Sequence, residues 1–241
     1  TITGNNIKAS KYHGIISIFS SNNIICYNNF INNTRQATLT GPLVNIWHHN
    51  YWSNYTGVDF YSGPYQNETG SDGIGDEAHT IDANNVDRYP LMGPFTKFYA
   101  GTWNGVTYYV DTVSNSTVSN FTFDKDQKLI SFNVTGLNDT VGFCRVTIPN
   151  DLLGGPYDIS VNDLPPLSLN EMSNGTHTFL YFTYNQSTEQ VTVIGTTVVP
   201  EFSTGTLTLI LLIILTVAIV TYARAIRSKK DIDSVAKSSR R

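Results

Sequence analysis

Three hydrophobic patterns follow one another along the chain. Between residues 1 and 50 short apolar runs return at intervals of about 23: Ile2, Asn5-Asn6 and Ile7 come back as Ile25, Asn28-Asn29 and Phe30. Between them lies the β-rich run Gly14–Phe19, and further Asn-Asn pairs fall at 22–23 and 32–33. Repeats of this length with Asn at the corners predict the last coils of a right-handed parallel β-helix, in which inward Ile and Val columns form the core and Asn ladders from coil to coil. From 95 to 198 the period changes to two. Seven strands are expected: Val106–Asp111, Val118–Phe123, Leu129–Val134, Phe143–Ile148, Tyr157–Val161, Thr178–Tyr184 and Val191–Thr196. Seven short alternating strands in about 100 residues predict an antiparallel β-sandwich of immunoglobulin-like type. Ile130, Phe132 and Val134 should face in, with Ser131 and Asn133 out. Last comes an uncharged run, 205–223, followed by Arg224, Arg227, Lys229 and Lys230. As a helix it would extend roughly 28 Å, which predicts one transmembrane helix with a basic cytoplasmic tail at 224–241.

Residues 51–94 fit none of these patterns. Gly, Asp and aromatic residues crowd there, and the segment reads as an ordered loop covering the open end of the coils, without strand patterning. Gly93-Pro94, at the centre of 92–95, marks a linker to an independent second domain. The expected class is therefore all-β, with residues 199–204 leading into the apolar run.

Charge divides at the same place. Residues 1–200 hold sixteen acidic and eight basic side chains, whereas 224–241 hold seven basic and two acidic. An acidic body excludes nucleic acid as a partner. The basic tail suits an anionic membrane surface. The chain begins at Thr1 without an export signal, so it is expected to be the C-terminal part of a longer exported protein. Cys26 and Cys144 are the only cysteines and fall in different segments, which points to buried thiols and not to a disulfide framework.

Nine Asn-X-Ser/Thr sequons precede the apolar run, at Asn32, Asn54, Asn67, Asn115, Asn120, Asn133, Asn138, Asn174 and Asn185. Glycosylation at several of them agrees with an extracellular body.

Chemistry is sparse. Asp72, Asp76 and Glu77, in a loop spaced by Gly73 and Gly75, are candidate ligands of a structural calcium ion, since oxygen donors on a Gly-rich loop can wrap that cation. The competing reading has these carboxylates capping backbone N–H groups. His48 and His49, with His13 and His79, raise copper or zinc, but neighbours in extended chain point opposite ways, so the pair should give one ligand at most. Trp47, Trp52 and Tyr55 are candidate platforms for stacking on sugar rings. The first acidic residue is Asp59, so residues 1–58 cannot hold a carboxylate acid/base pair and no catalytic residue is assigned.

Asn22-Asn23-Ile24-Ile25, Asn28–Thr34, Asn50–Tyr55, Asp72–Asp76 and Asp87–Met92 together resemble the C-terminal end of NosD-like right-handed β-helix proteins of archaeal surfaces. The resemblance implies a surface β-helix, and by the family's name copper binding in the periplasm. Pro200-Glu201-Phe202, ahead of the apolar run and basic cluster, is similar to an archaeal PEF-type sorting signal, which implies an archaeosortase as a partner. Three functions are open. One is a cell-surface protein with a structural role or one in binding carbohydrate or surface-layer proteins. A second is a glycan-active enzyme whose catalytic residues lie in upstream coils. The third, which the resemblance implies, is a NosD-like periplasmic copper-binding protein.

Overall fold

The computed structural model describes residues 1–41, 44–198, 209–222, 224 and 226. It is mostly β, with several sheets. Thr1–Val199 pack as one compact unit and Pro200–Arg241 as another.

The N-terminal strands stack in parallel. Ile2–Thr3, Ile24–Cys26, Ile46–His48 and Asn85–Asp87 run side by side in one sheet, with His79–Asp82 antiparallel on its edge. Asn6–Lys8, Asn29–Ile31 and Tyr51–Trp52 form a second parallel sheet, and His13–Ile18 with Arg35–Thr40 a third. Pairs such as Ile2↔Ile25 and Ile7↔Phe30 reproduce the 23-residue shift read in the sequence. The next pairs, Ile25↔Trp47 and Phe30↔Trp52, are offset by 22.

Buried Asn side chains tie the layers together. Asn5 gives its backbone N–H and side-chain Nδ2 to Asn28 Oδ1 (3.1 and 2.9 Å), and Asn28 gives the same two groups to Asn50 Oδ1 (both 3.1 Å). Asn50 in turn gives both to Asp87 Oδ2, each at 3.0 Å. A second column runs from Asn23 to Asn45 Oδ1 and on to Asn85 Oδ1. Every step gives a corner N–H its acceptor, and at Asn28, Asn45 and Asn50 that N–H belongs to a buried residue.

Two expectations for 51–94 are corrected. The segment contains strands: Tyr51–Trp52, His79–Asp82 and Asn85–Asp87 extend the stack, because Asn85 and Asp87 supply the acceptors that the Asn columns require. Nor is 92–95 a free linker. Phe95 is buried with Ile74, Leu91 and Val113, and Asn29 holds both of its backbone polar groups.

The following strands are antiparallel. Phe95–Trp103, Val106–Ser114, Val141–Pro149, His177–Asn185 and Ser168–Ser173 make a five-stranded sheet. Thr117–Asp124, Leu129–Thr135, Thr188–Ile194 and Asp158–Val161 make a four-stranded one. Both contribute to a single core, with Ile130, Phe132 and Val134 from one sheet and Val110, Cys144 and Phe182 from the other fully buried. All seven expected strands are present. Phe95–Trp103 and Ser168–Ser173 are additional. Both cysteines are free and buried.

The C-terminal expectation is also corrected. The described helix covers 209–222, about 21 Å long, and no helix among the described residues is long and apolar enough to cross a membrane. The transmembrane helix expected over 205–223 is therefore not found. Pro200, Glu201 and Phe202 lie outside the described residues.

Candidate binding cleft

The five-stranded sheet has two different faces. Along Val141–Pro149, Cys144, Val146 and Ile148 enter the shared core, while Phe143, Arg145 and Thr147 alternate to the other side. That second face meets the Gly/Asp loop. Arg145 Nη1 donates to the Asp72 carbonyl (2.6 Å) and lies 3.1 Å from Asp72 Oδ2. Its guanidinium sits 4.6 Å from the centre of the Phe179 ring.

The loop is shaped by its own carboxylates. Asp59 accepts the Asp72 N–H (3.0 Å) and the Gly73 N–H (2.8 Å). Asp72 Oδ1 accepts the Ile74 N–H, and Asp76 accepts the N–H groups of Phe60 and Tyr61. Gly73 takes a φ of +84°, and a Cβ there would press on Arg145 Cβ at 3.2 Å, so glycine is needed for both reasons. Burial pushes the Asp59 carboxyl up to about 7, against the pull of its two backbone N–H donors. Burial also raises Asp72, opposed chiefly by Arg145.

The proposed calcium ligands are thus not gathered around one point. Asp72 faces Arg145, and Asp76 caps a turn. At Glu77 it is the backbone carbonyl that is engaged, by Tyr55 Oη at 2.6 Å. Among the described residues no group of three or more His, Cys, Asp or Glu side chains is placed to hold a metal ion.

The histidine pair departs from expectation. His49 has a φ of +55°, so the chain turns a corner between the two side chains, and their Nδ1 atoms come within 3.0 Å. Both rings therefore lie on one side. His49 is stacked between Tyr27 (5.2 Å) and Tyr89 (5.5 Å), and burial, reinforced by His48 and Arg145, lowers its pKa to about 4. His13 and His79 are elsewhere, bonded to Thr38 and stacked on Trp52 respectively.

The sugar-stacking expectation is corrected for the tryptophans. Trp47 and Trp52 are 4% and 1% exposed, packed with Phe30, which lies 4.3 Å from Trp52 in a parallel stack. A ring buried on both faces offers no platform. Their indole N–H groups are spent on Asn85 and Asp87. Tyr55 is half-buried beside them.

The sequence reading did not find the recess that these parts create. A cleft of about 460 Å³ is lined by His49, Gly63, Gln66, Asp72, Ile74 and Tyr89 on one side. Arg145, Met172, Ser173, Asn174 and Phe179 line the other. The one available signal was Arg145, a charge in the otherwise apolar alternation of Phe143–Ile148. The sequon asparagines lie away from the core: eight are exposed and Asn133 is half-buried.

Comparison with known proteins finds no family model, no curated protein and no solved structure that matches this chain.

Proposed function

We propose that this chain is a glycosylated, extracytoplasmic β scaffold that binds carbohydrate or a neighbouring surface protein and does not transform it. In this reading the parallel stack is the end of a right-handed, NosD-like β-helix, supported by its 23- and 22-residue register. The antiparallel sheets are an immunoglobulin-like sandwich, supported by their shared core.

One observation carries the reading: no asparagine is both buried and the start of a sequon. Asn28, Asn29, Asn33, Asn45, Asn50 and Asn85 are buried, and none begins a sequon. The nine that do begin one are never buried. Structural asparagine is kept out of the glycosylation motif, and motif asparagine is kept out of the core, as a glycan at each site requires. Binding is favoured over catalysis because Asp59, Asp72, Asp76 and Asp87 spend their oxygens on N–H donors of the fold itself.

The test is intact mass of the protein from its native host before and after deglycosylation. A loss of several glycan masses is expected. An unchanged mass would remove the proposal.

A further inference from the structure

Charge is divided within the body of the chain as well as at its end. All sixteen acidic side chains of residues 1–200 fall at or after Asp59, but only five of the eight basic ones do. The other three, Lys8, Lys11 and Arg35, stand on coils without a carboxylate. The parallel stack brings them together at one corner. Ala9 N donates to the Ile31 carbonyl (2.9 Å), Thr34 N to the Ser10 carbonyl (3.1 Å) and Arg35 N to the Tyr12 carbonyl (3.0 Å). His13 pairs with Arg35 in the register. Neighbouring strands are about 4.8 Å apart, so Arg35 lies one such spacing from the turn that carries Lys11. All three basic residues are exposed. Among the described residues no carboxylate pairs with any of them, whereas Lys97 and Arg145 are matched by Asp111 and Asp72. Like charges on adjoining coils repel, and the fold supplies no counter-charge here, so the corner is complementary to an anion.

The surroundings narrow the kind of anion. Arg35 lines a groove of about 320 Å³ together with Thr34, Gln36, Asn54, His79 and Thr80, and no carboxylate takes part in the lining. Guanidinium, amide and hydroxyl groups in one recess suit an oxyanion carried on a hydroxyl-rich framework. Tyr12, 76% exposed between Lys11 and His13, adds an aromatic face of the kind that packs on a sugar ring. Two other polyanions fit less well. A long nucleic acid would lie along a body whose net charge is negative. A bilayer is flat, and two exposed sequon asparagines border the corner: Asn32 beside Arg35 in sequence, and Asn54 on the groove itself. Glycans there would hold a lipid surface away but would let a flexible chain of sugars pass.

We infer that the corner of Lys8, Lys11 and Arg35, with the groove at Arg35, is a binding site for an acidic glycan, whose carboxylate or sulfate groups meet the three cations. The inference rests on the carbohydrate-binding reading above and names the class of carbohydrate.

The experiment is calorimetry and ligand-observed NMR at low salt on the full chain, made in a host without N-glycosylation so that Asn32 and Asn54 are bare. The probes are tetragalacturonate, for carboxylate, and sulfated maltotetraose, for sulfate. Methyl-esterified tetragalacturonate and plain maltotetraose are their neutral counterparts. At least one acidic probe should bind saturably, and more weakly as salt is raised. Its neutral counterpart should bind about tenfold more weakly or not at all. Preference between the two acidic probes identifies the anionic group. Lys8→Gln, Lys11→Gln and Arg35→Gln combined should weaken binding about tenfold or more, with the far-ultraviolet dichroism unchanged. The charge-matched combination Arg88→Gln, Lys125→Gln and Lys128→Gln should leave it within about twofold. Absence of saturable binding by both acidic probes overturns the inference. So does equal binding of a neutral counterpart, or an equal loss in the two triple variants. Tighter binding to phosphatidylglycerol vesicles or to a short single-stranded DNA than to either acidic probe overturns it as well, in favour of another class of polyanion. Failure here leaves the deglycosylation test untouched, and an unchanged mass there leaves this measurement standing.

Discussion

Asn29 and Phe95 are 66 residues apart, yet the side chain of one closes both backbone polar groups of the other. Asn29 Oδ1 accepts the Phe95 N–H at 2.7 Å, and Asn29 Nδ2 donates to the Phe95 carbonyl at the same distance. Nδ2 also reaches Asn6 Oδ1, at 2.6 Å, so one amide joins the parallel stack to the first strand of the antiparallel sheet. Asn29→Leu would leave two buried backbone groups unsatisfied. At about 1–3 kcal/mol each, a loss of about 2–6 kcal/mol is expected. Urea denaturation in a Trp103→Phe background, followed by tryptophan fluorescence (Trp47 and Trp52, stack) and by far-ultraviolet dichroism (both halves), would measure it, since Trp103 packs on the antiparallel core. Superimposable transitions in wild type that separate in Asn29→Leu would show that this amide couples the halves. A loss under 1 kcal/mol would mean that it does not.

Asp87 should be sensitive even to an isosteric change. It is fully buried, and its Oδ2 accepts three N–H groups, from the Asn50 backbone, the Asn50 side chain and Trp52 Nε1. Oδ1 accepts a fourth from Tyr89 N. Asparagine can serve the first three with its carbonyl, but must then point an NH₂ at the Tyr89 N–H. Asp87→Asn is expected to cost about 1–3 kcal/mol and Asp87→Leu more, since it orphans all four donors. Equal stability of Asp87→Asn and wild type in urea would contradict this account.

These two residues also show what the sequence could and could not convey. The 23-residue shift was legible because stacked strands repeat inward residues, and Ile2, Asn6 and Ile7 do pair with Ile25, Asn29 and Phe30. Inward alternation at Ile130, Phe132 and Val134 was legible for the same reason. The partners of Asn29 and Asn50 were not, because Phe95 and Asp87 lie outside any repeat. Strand Ser168–Ser173 carries little apolar alternation, being an edge strand, and therefore gave no signal. The cluster Trp47–Trp52 was ambiguous: aromatic residues build cores and sugar platforms alike, and only burial decides. His48 and His49 were misplaced by assuming extended backbone where His49 is left-handed. The cleft needed Arg145 and Asp72 together, 73 residues apart.

His49 makes stability depend on pH. Its folded pKa of about 4 lies below the ordinary 6.5, so the unfolded chain binds the proton more tightly between those values. The stabilisation is present above pH 6.5 and is lost as pH falls through 4. Asp59, raised to about 7, acts in the opposite sense across an overlapping window: its folded state takes the proton first, so stability falls as pH rises from about 4 to 7. The two partly cancel in wild type. His49→Phe keeps a ring between Tyr27 and Tyr89 and removes the titration along with the contact to His48 Nδ1. The stability of wild type relative to His49→Phe should therefore rise from pH 4 to 6.5, by up to about 3 kcal/mol. A flat difference across that range, from urea midpoints at half-unit steps, would place the imidazole in a solvated setting.

Arg145 and Asp72 form a buried ion pair whose two members both retain a net penalty of burial: Asp72 is raised and Arg145 lowered from their ordinary values, each against the pull of the other. Their attraction thus does not fully offset desolvation, and the pair is better understood as fixing which surfaces meet than as a source of stability. This leads to an asymmetric expectation. Arg145→Met keeps a flexible apolar stem near Phe179 but strands the Asp72 carboxylate, at a cost of about 3–5 kcal/mol. Asp72→Asn added to Arg145→Met removes the stranded charge while retaining an oxygen for the Ile74 N–H, and should recover at least half of that loss. Arg145→Lys keeps the charge but not the planar guanidinium that lies over Phe179, and should lie between wild type and Arg145→Met. A double variant no more stable than Arg145→Met would show that the contacts of the guanidinium with Phe179 and the Asp72 carbonyl, and not the stranded charge, set the cost.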